Sequence, residues 1–169
     1  MRAFHLIAAV LLGLPGLTAC GLHPLYGGGS DSPVVQTLRS VEVGPIPGQS
    51  GWLIRNKLIA RLGEPGSASA RYRLDVTLDD KLASFGLRSD RAATQERRSV
   101  RARYQLVDLA SGAVVLDATS GSDTGIDIVG SEYATVAAEQ TALEQLCDQV
   151  ADQIVARLGL YAARVRPAR

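Results

Sequence analysis

Two stretches in the middle of the chain alternate hydrophobic and polar residues with a period of two. In the first stretch the apolar positions are Tyr72, Leu74, Val76 and Leu78. In the second stretch they are Val100, Ala102, Tyr104 and Leu106. Successive side chains of a strand point to opposite faces of a sheet, so each stretch predicts a strand with one apolar and one polar face.

A turn signal at residues 110–112 separates the second strand from a third. A three-residue loop with Gly112 in the left-handed conformation would place three apolar or small pairs on one face. These pairs are Leu106 with Leu116, Tyr104 with Ala118, and Ala102 with Ser120. A two-residue loop would instead set Leu106 against Asp117. The register therefore favours the longer loop and an antiparallel sheet.

Residues 79–99 predict a long hairpin whose tip lies near Arg88 to Ala92. Six arginines lie on this tip and its returning strand: Arg88, Arg91, Arg97, Arg98, Arg101 and Arg103. Guanidinium groups bind phosphate in a bidentate manner, so the arginines predict an anion-binding strip. The alternative interpretation is that they only solvate the sheet, protect its edge or pair with acids.

Helical spacing appears twice. Within residues 51–62, the apolar residues Ile54, Leu58 and Leu62 recur every four positions, with Trp52 and Ile59 beside them, which predicts a short amphipathic helix. Ser131 is placed to cap a long helix from Glu132 to about Leu158. Its apolar stripe consists of Val136, Leu143, Cys147, Val150, Ile154 and Leu158.

The remaining segments complete a β-α-β-β-β-α order. Val41 and Val43 predict a first strand within residues 34–44, whereas residues 121–130 are interpreted as a polar loop. We therefore expect an α+β domain, with a four-stranded mixed sheet and two helices packed on one face. A right-handed crossover would make the first two strands parallel neighbours.

Charge is balanced in total but unevenly distributed. The chain has 18 Lys and Arg against 17 Asp and Glu, which gives no basis for a nucleic-acid partner. Residues 104–156 contain nine acids and no Lys or Arg. One part of the molecule should therefore be basic and another acidic.

Catalytic and metal-binding patterns are lacking in the sequence. His23 is the only histidine after residue 19, and Cys147 falls on the apolar stripe of the long helix. There is no Gly-x-Ser-x-Gly motif and no phosphate-binding glycine loop. We therefore expect a protein that is not an enzyme and that uses no cofactor or metal.

The N-terminal residues have the pattern of a secretory signal. Arg2 is followed by an apolar run, residues 7–14, and by small residues before Cys20. Residues 17–20 resemble the lipobox of bacterial lipoproteins, which implies cleavage after residue 19 and lipid attachment at Cys20. The alternative is an ordinary cleavage site with Cys20 there by chance. The predicted organisation is a signal peptide (1–19), a lipidated flexible tether (20–33), the domain (34–160) and a frayed basic tail (161–169).

Two short motifs resemble a known family. Residues 20–27, with the sequence CGLHPLYG, and residues 133–140, with the sequence YATVAAEQ, are similar to the lipopolysaccharide-assembly lipoproteins (LptE) in their alphaproteobacterial form. The order of predicted elements also matches that family. Leu22 stands where a phenylalanine is expected, a departure that concerns the tether rather than the fold.

The resemblance implies a location and partners. Family members sit as a plug inside a large outer-membrane β-barrel, an LptD-like lipopolysaccharide-assembly protein. With it they insert lipopolysaccharide (LPS) into the outer leaflet, and they help the barrel assemble. Gly21 is not the aspartate of an inner-membrane retention signal, so we expect the periplasmic face of the outer membrane. Arg88, Arg91, Arg97 and Arg98 are the candidate LPS-binding residues.

The sequence is also compatible with two alternative functions. A free-standing periplasmic lipid carrier or chaperone would need an enclosed apolar cavity. An envelope structural lipoprotein would need a peptidoglycan-binding motif, and the sequence contains none.

Overall fold

The described part of the chain folds into one four-stranded sheet with three helices. The computed structural model describes residues 32–63, 70–87, 93–128 and 131–165. In chain order the elements are α1 (Pro33–Arg39), β1 (Val41–Val43), α2 (Gly48–Leu62), β2 (Tyr72–Leu87), β3 (Ala93–Asp108), β4 (Val114–Asp127) and α3 (Glu132–Arg164). The predicted α+β class and mixed sheet are confirmed.

The strands are arranged in sequence order. β1 pairs with β2 in parallel, as the crossover through α2 requires, and the other two pairings are antiparallel. Leu106 pairs with Leu116, Tyr104 with Ala118 and Ala102 with Ser120, so the predicted register is confirmed. Gly112 has φ +70°, the left-handed conformation that the turn requires.

The core lies between one face of the sheet and the helices. Tyr72, Leu74, Tyr104 and Leu106 are buried on this face of the sheet. The helices bury Ile54, Leu58, Leu143, Leu146, Ile154 and Leu158 against them. Each such side chain contributes roughly 1.5–3 kcal/mol when it leaves water. The side chains therefore fill the space between sheet and helices.

Three segments differ from the sequence prediction. Residues 34–39 were expected to extend the first strand, but they form α1, which begins at Pro33 and buries Leu38 against α3. Residues 121–127 were expected to be a loop, but they continue β4, because β3 provides a pairing partner as far as Asp127. α3 continues to Arg164, so the first residues of the predicted tail are helical.

The domain has two distinct ends. One end, called here the tethered end because the predicted tether precedes it, is where the described chain begins at Ser32, β2 starts and α3 finishes. There, Ser40 accepts hydrogen bonds from the backbone N–H groups of Arg71 and Tyr72. At the hairpin end, β2 and β3 approach the tip and α3 begins. The core-side residues of β2 are buried as far as Val76, whereas Leu82 is 43% exposed near the hairpin end.

Candidate functional site

The predicted arginine strip is divided between the two faces of the sheet. Arg97, Arg101 and Arg103 point to the outer face, the side of the sheet away from the described helices. Arg98 has the same parity as the buried Val100 and therefore points to the helix side. Cys20, Arg88 and Arg91 lie outside the described residues. The structure thus brings three of the four described arginines together and separates Arg98 from them.

Arg103 on the outer face carries its own counter-ion. Its guanidinium contacts both carboxylate oxygens of Asp117, with Nη2 at 2.9 Å from the nearer one. This hydrogen bond raises the pKa of Arg103 and lowers that of Asp117. Arg103 is therefore already engaged by an acid on the neighbouring strand.

Arg101 lies flat across β4. Its Nη1 donates to the backbone oxygen of Ser122 at 3.0 Å, and its Nη2 lies 3.4 Å from Asp123. The close approach requires Gly121, because a Cβ at that position would be 2.3 Å from Arg101 Cδ. Arg101 and Arg103 are therefore occupied by contacts within the sheet, and their guanidinium groups are poorly available to an external phosphate.

Arg97 is different from both. Its guanidinium carbon lies 5.7 Å from the centre of the Phe85 ring on the adjacent strand, a cation–π arrangement. Within the described part of the chain, no carboxylate forms an ion pair with Arg97. It therefore presents an exposed guanidinium, whose hydrogen-bond donors no described residue occupies, beside an aromatic ring near the hairpin end.

Arg98 forms a half-buried ion pair with Asp80. The guanidinium Nε and Nη2 donate to the two carboxylate oxygens at 3.0 and 2.9 Å, and the side chains are 16% and 21% exposed. The hydrogen bond to Asp80 raises the pKa of Arg98. Arg98 is therefore not an exposed strip residue, as the sequence pattern had suggested, but a structural partner of β2.

Two carboxyl groups approach one another next to this pair. Glu96 Oε1 accepts a hydrogen bond from the Ser84 hydroxyl at 2.9 Å, and Glu96 Oε2 is buried without a hydrogen-bond partner among the described residues. Glu139 of α3 faces it. Loss of hydration raises the pKa of Glu139, and the charge of Glu96 raises it further. The helix side of the hairpin stem thus contains polar side chains instead of a continuous apolar core.

Exposed apolar side chains surround the same end. Leu82 and Phe85 are 43% and 42% exposed on opposite faces of β2. Val136, which was predicted to lie on the buried stripe of α3, is 56% exposed, and Tyr133 is 86% exposed. The hairpin end therefore combines the exposed guanidinium of Arg97 with apolar surface.

Other chemistry in the described residues is limited. Cys147 is fully buried, and burial raises the pKa of its thiol to about 11, so the group remains neutral. No cluster of three or more metal-ligating side chains occurs within residues 32–63, 70–87, 93–128 and 131–165. None of the helices in these ranges is long and apolar enough to span a membrane.

A comparison with known protein families identifies the family of this chain. The sequence profile of the lipopolysaccharide-assembly family, LptE, matches residues 38–158, which is most of the described domain. The chain belongs to this family. As a member of LptE, it is an envelope lipoprotein with a role in LPS assembly. No curated protein matches the sequence.

Solved structures are similar to this LptE member in fold. A lipoprotein from Caulobacter crescentus has 26% sequence identity and a TM-score of 0.64, covering 80% of this chain and 98% of its own. The rare lipoprotein B from Shewanella oneidensis has 9% identity and a TM-score of 0.58, covering 74% and 96%. A minor lipoprotein from Acinetobacter baumannii has 13% identity and a TM-score of 0.52, covering 76% and 95%. The last two similarities establish the fold alone.

The sequence pattern contained a signal for the polar contacts that the strip prediction missed. On β2, Asp80 lies two residues after Leu78 and so continues the core-facing series of Leu74, Val76 and Leu78. On β3, Arg98 lies two residues before the core-facing Val100. Opposite charges at core-facing positions of adjacent strands predict a cross-strand pair. Glu139 of this LptE member had no comparable signal, because its neighbour Glu96 belongs to another element.

Proposed function

We propose that this LptE-family lipoprotein is a non-enzymatic subunit of the LPS translocon at the outer membrane. Anchored through Cys20, it plugs an LptD-like β-barrel, helps that barrel assemble, and takes part in delivering LPS to the outer leaflet. The observation that carries the proposal is the hairpin of β2 and β3, whose stem continues beyond the buried apolar core with polar, charged and exposed apolar side chains. A free-standing carrier would need an enclosed apolar cavity, whereas Tyr72, Tyr104 and Leu143 fill the space between sheet and helices.

The length of the hairpin suits a plug. β2 contains 16 residues, and a rise of about 3.3 Å per residue gives a strand roughly 50 Å long. The hydrocarbon core of a bilayer is about 30 Å thick. This length includes the part of β2 in the core, so a domain that enters a barrel as a whole would extend across that thickness from its tethered end to the last described residue of β2.

The outer face of the sheet suits the interior of such a barrel. The lumen of an outer-membrane barrel is polar and hydrated. The outer face carries charges paired within the sheet, namely Arg73 with Asp75, Arg101 with Asp123, and Arg103 with Asp117. Paired charges offer hydrogen bonds without a strong net potential, so this face is compatible with a polar wall.

We assign glycolipid contact to the hairpin end. Arg97 has donors that no described carboxylate occupies, and Phe85 beside it offers an apolar surface. The tip arginines Arg88 and Arg91 remain candidates by position. Together these groups would bind the phosphates of lipid A through bidentate hydrogen bonds. Arg98 contributes indirectly, because its pair with Asp80 holds the stem of the hairpin.

Cross-linking tests the plug directly. A photoreactive amino acid at Phe85 in the mature lipoprotein should cross-link to an outer-membrane β-barrel, identified by mass spectrometry after gentle solubilisation of envelopes. The same substitution at Trp52, which is also an exposed aromatic residue but lies on α2, is the matched control for a hairpin-specific contact. A monodisperse lipoprotein that gives no barrel adduct from Phe85 would refute the proposal.

Charge reversal tests the glycolipid contact separately. Arg97→Glu should weaken binding of purified LPS about tenfold or more, since it removes a phosphate donor and adds repulsion. Arg73→Glu is the control, because it makes the same charge change on the same outer face at the tethered end. Equal loss in both variants would indicate a general charge effect, and unchanged binding in Arg97→Glu would remove this residue from the site.

A further inference from the structure

The tethered end of the domain carries exposed arginines. Arg39 ends α1, Arg71 precedes β2 and Arg164 ends α3, and all three are exposed. Arg157 is also exposed and lies seven positions before Arg164, so both lie on one side of α3. Within the described ranges, no carboxylate forms an ion pair with Arg39, Arg157 or Arg164.

Contacts across this end place its elements side by side. The backbone oxygen of Arg71 accepts a hydrogen bond from the N–H of Leu109 at 2.9 Å. The guanidinium carbon of Arg71 lies 5.1 Å from the centre of the Tyr72 ring, and that ring meets Tyr161 of α3 edge-to-face at 6.1 Å. Arg71 therefore lies close to both the β3–β4 turn and the last turns of α3.

The described acids near this end are engaged by the fold. Asp108 lies 3.9 Å from Arg71, but its side chain is only 16% exposed, and its other oxygen accepts hydrogen bonds from two backbone N–H groups of the β3–β4 turn. On the outer face Asp75 pairs with Arg73, and the charge of Glu42 acts on the same arginine. The exposed guanidinium groups of the tethered end are therefore not neutralised by these acids.

Apolar side chains lie among the arginines. Leu109, Leu160 and Val165 are exposed large hydrophobic residues, and Tyr161 is half-buried. Tyrosine is enriched at membrane–water interfaces, where one part of the ring is in an apolar environment and the hydroxyl is in water. A surface that combines basic and exposed apolar side chains is suited to the headgroup region of a bilayer.

The predicted anchor keeps this end near a bilayer. About twelve residues separate Cys20 from Ser32, and an extended chain spans at most about 3.6 Å per residue, so Ser32 lies within roughly 43 Å of the anchor. The last described residue of β2 is roughly 50 Å farther along that strand. Two groups joined by a short chain meet at a high effective concentration, so a weak contact between this end and the bilayer is populated.

We infer that the tethered end of the free lipoprotein docks on anionic phospholipid headgroups of the bilayer that holds its anchor. The inference rests on the proposed lipid attachment at Cys20. Arg39, Arg71 and Arg164 donate to lipid phosphates, while Leu109 and its apolar neighbours enter the headgroup boundary. Docked in this way, the domain directs its hairpin away from the membrane surface before it joins a partner.

Vesicle binding tests the contact without the anchor. The mature chain with Cys20→Ser, which has no thiol for lipid at that residue, is titrated at low ionic strength with vesicles of phosphatidylglycerol or of phosphatidylcholine. We expect at least tenfold tighter binding to phosphatidylglycerol, and weaker binding as salt is added. Equal binding to the two lipids, or binding to neither, would overturn the inference. Because this protein lacks the anchor, failure of the proposed anchor or barrel contact would not change the result.

Charge reversal locates the contact. Each basic residue near an anionic surface contributes about fivefold in affinity, so Arg39→Glu combined with Arg164→Glu should weaken binding to phosphatidylglycerol at least tenfold. Lys81→Glu combined with Arg101→Glu is the matched control, because it makes the same change in net charge at exposed residues farther along the sheet. The control should bind as the unaltered chain does. Equal loss in both variants would mean that net charge, and not the tethered end, governs binding.

A second pair of substitutions makes the test independent of one variant's folding. Arg71→Glu combined with Arg157→Glu changes arginines at other positions of the same end, and should also weaken binding at least tenfold. Circular dichroism establishes which variants are folded. Unchanged binding to phosphatidylglycerol in a folded variant of either pair would refute the docking surface.

Discussion

The ion pair between Arg98 and Asp80 offers the sharpest test of the structure. Its side chains are 16% and 21% exposed, and both carboxylate oxygens accept a hydrogen bond. Arg98→Ala leaves Asp80 partly buried without its partner. Hydrogen bonds to charged groups contribute about 1.5–3 kcal/mol, whereas breaking a fully buried pair costs about 3–5 kcal/mol. Because this pair is half-buried, we expect Arg98→Ala to lower the free energy of unfolding by about 2 kcal/mol.

A double-mutant cycle measures the coupling. Arg98→Ala, Asp80→Ala and the double variant are unfolded in urea, and the midpoints are compared at a constant m value. Arg103 and Asp117 provide a matched cycle, since they form the same kind of bidentate contact from the same strand. That pair lies on the open outer face, with side chains 67% and 40% exposed. Its coupling should be distinctly smaller, because solvent screens exposed charges.

Two outcomes would refute this reasoning. Equal coupling in the two cycles would mean that burial does not strengthen the Arg98–Asp80 contact. If Arg98→Ala lowers the free energy of unfolding by the expected amount but shows no coupling to Asp80, the guanidinium stabilises the stem through other groups. Either result would also remove the indirect role assigned to Arg98 at the hairpin.

Three further changes have expected outcomes. The pKa of Glu139 is raised in the folded state, so the free energy of unfolding should fall as pH rises through that pKa. Glu139→Gln should therefore raise the denaturation midpoint at neutral pH, where Glu139 is ionised. Below about pH 4 the variant should have no such effect, because Glu139 is then protonated in both the folded and the unfolded state. Gly51→Ala places a Cβ 2.5 Å from the backbone oxygen of Ile46, and should lower the free energy of unfolding by about 1–3 kcal/mol in urea. Cys147, with a pKa of about 11, should react with iodoacetamide at pH 8 only after unfolding.

Each of these three has a result that would contradict it. Equal pH profiles for Glu139→Gln and the unaltered protein would mean that Glu96 and Glu139 do not interact. A Gly51→Ala variant as stable as the original would mean that α2 does not pack so closely on the chain before it. Labelling of native Cys147 at the rate of a free thiol would place the residue outside the core.

The alternation of residues determined the sheet without help from tertiary contacts. A strand fixes which side chains share a face, so Tyr72 to Val76 and Val100 to Leu106 specified the core side. The turn at Gly112 then set the register of β4, since only one loop length aligned the apolar residues. The helix-forming periodicity of Ile54, Leu58 and Leu62 was equally local, and all three residues are buried.

The structure of some segments depends on packing or strand pairing with a distant part of the chain, and the local sequence could not predict it. α1 has seven residues, too few for a period to emerge, and its burial comes from packing on α3. Residues 121–127 are poor strand formers, yet β3 supplies their hydrogen-bonded partner. Trp52 lies beside the apolar stripe of α2 in sequence but is 64% exposed, because the sheet and α3 contact the other side of the helix.

The arginines show the same division between sequence and structure. Their number and the parity of each along β3 can be read from the sequence, and parity already separates Arg98 from Arg97. Which acids they meet is not local, because Asp80, Asp117 and Asp123 come from other strands whose placement follows from the fold. Sequence by itself therefore determined a lipoprotein-like α+β domain rich in arginine on one hairpin. Tertiary structure decided that Arg97 remains without a described acidic partner, because ion pairing depends on distances that only the folded sheet sets.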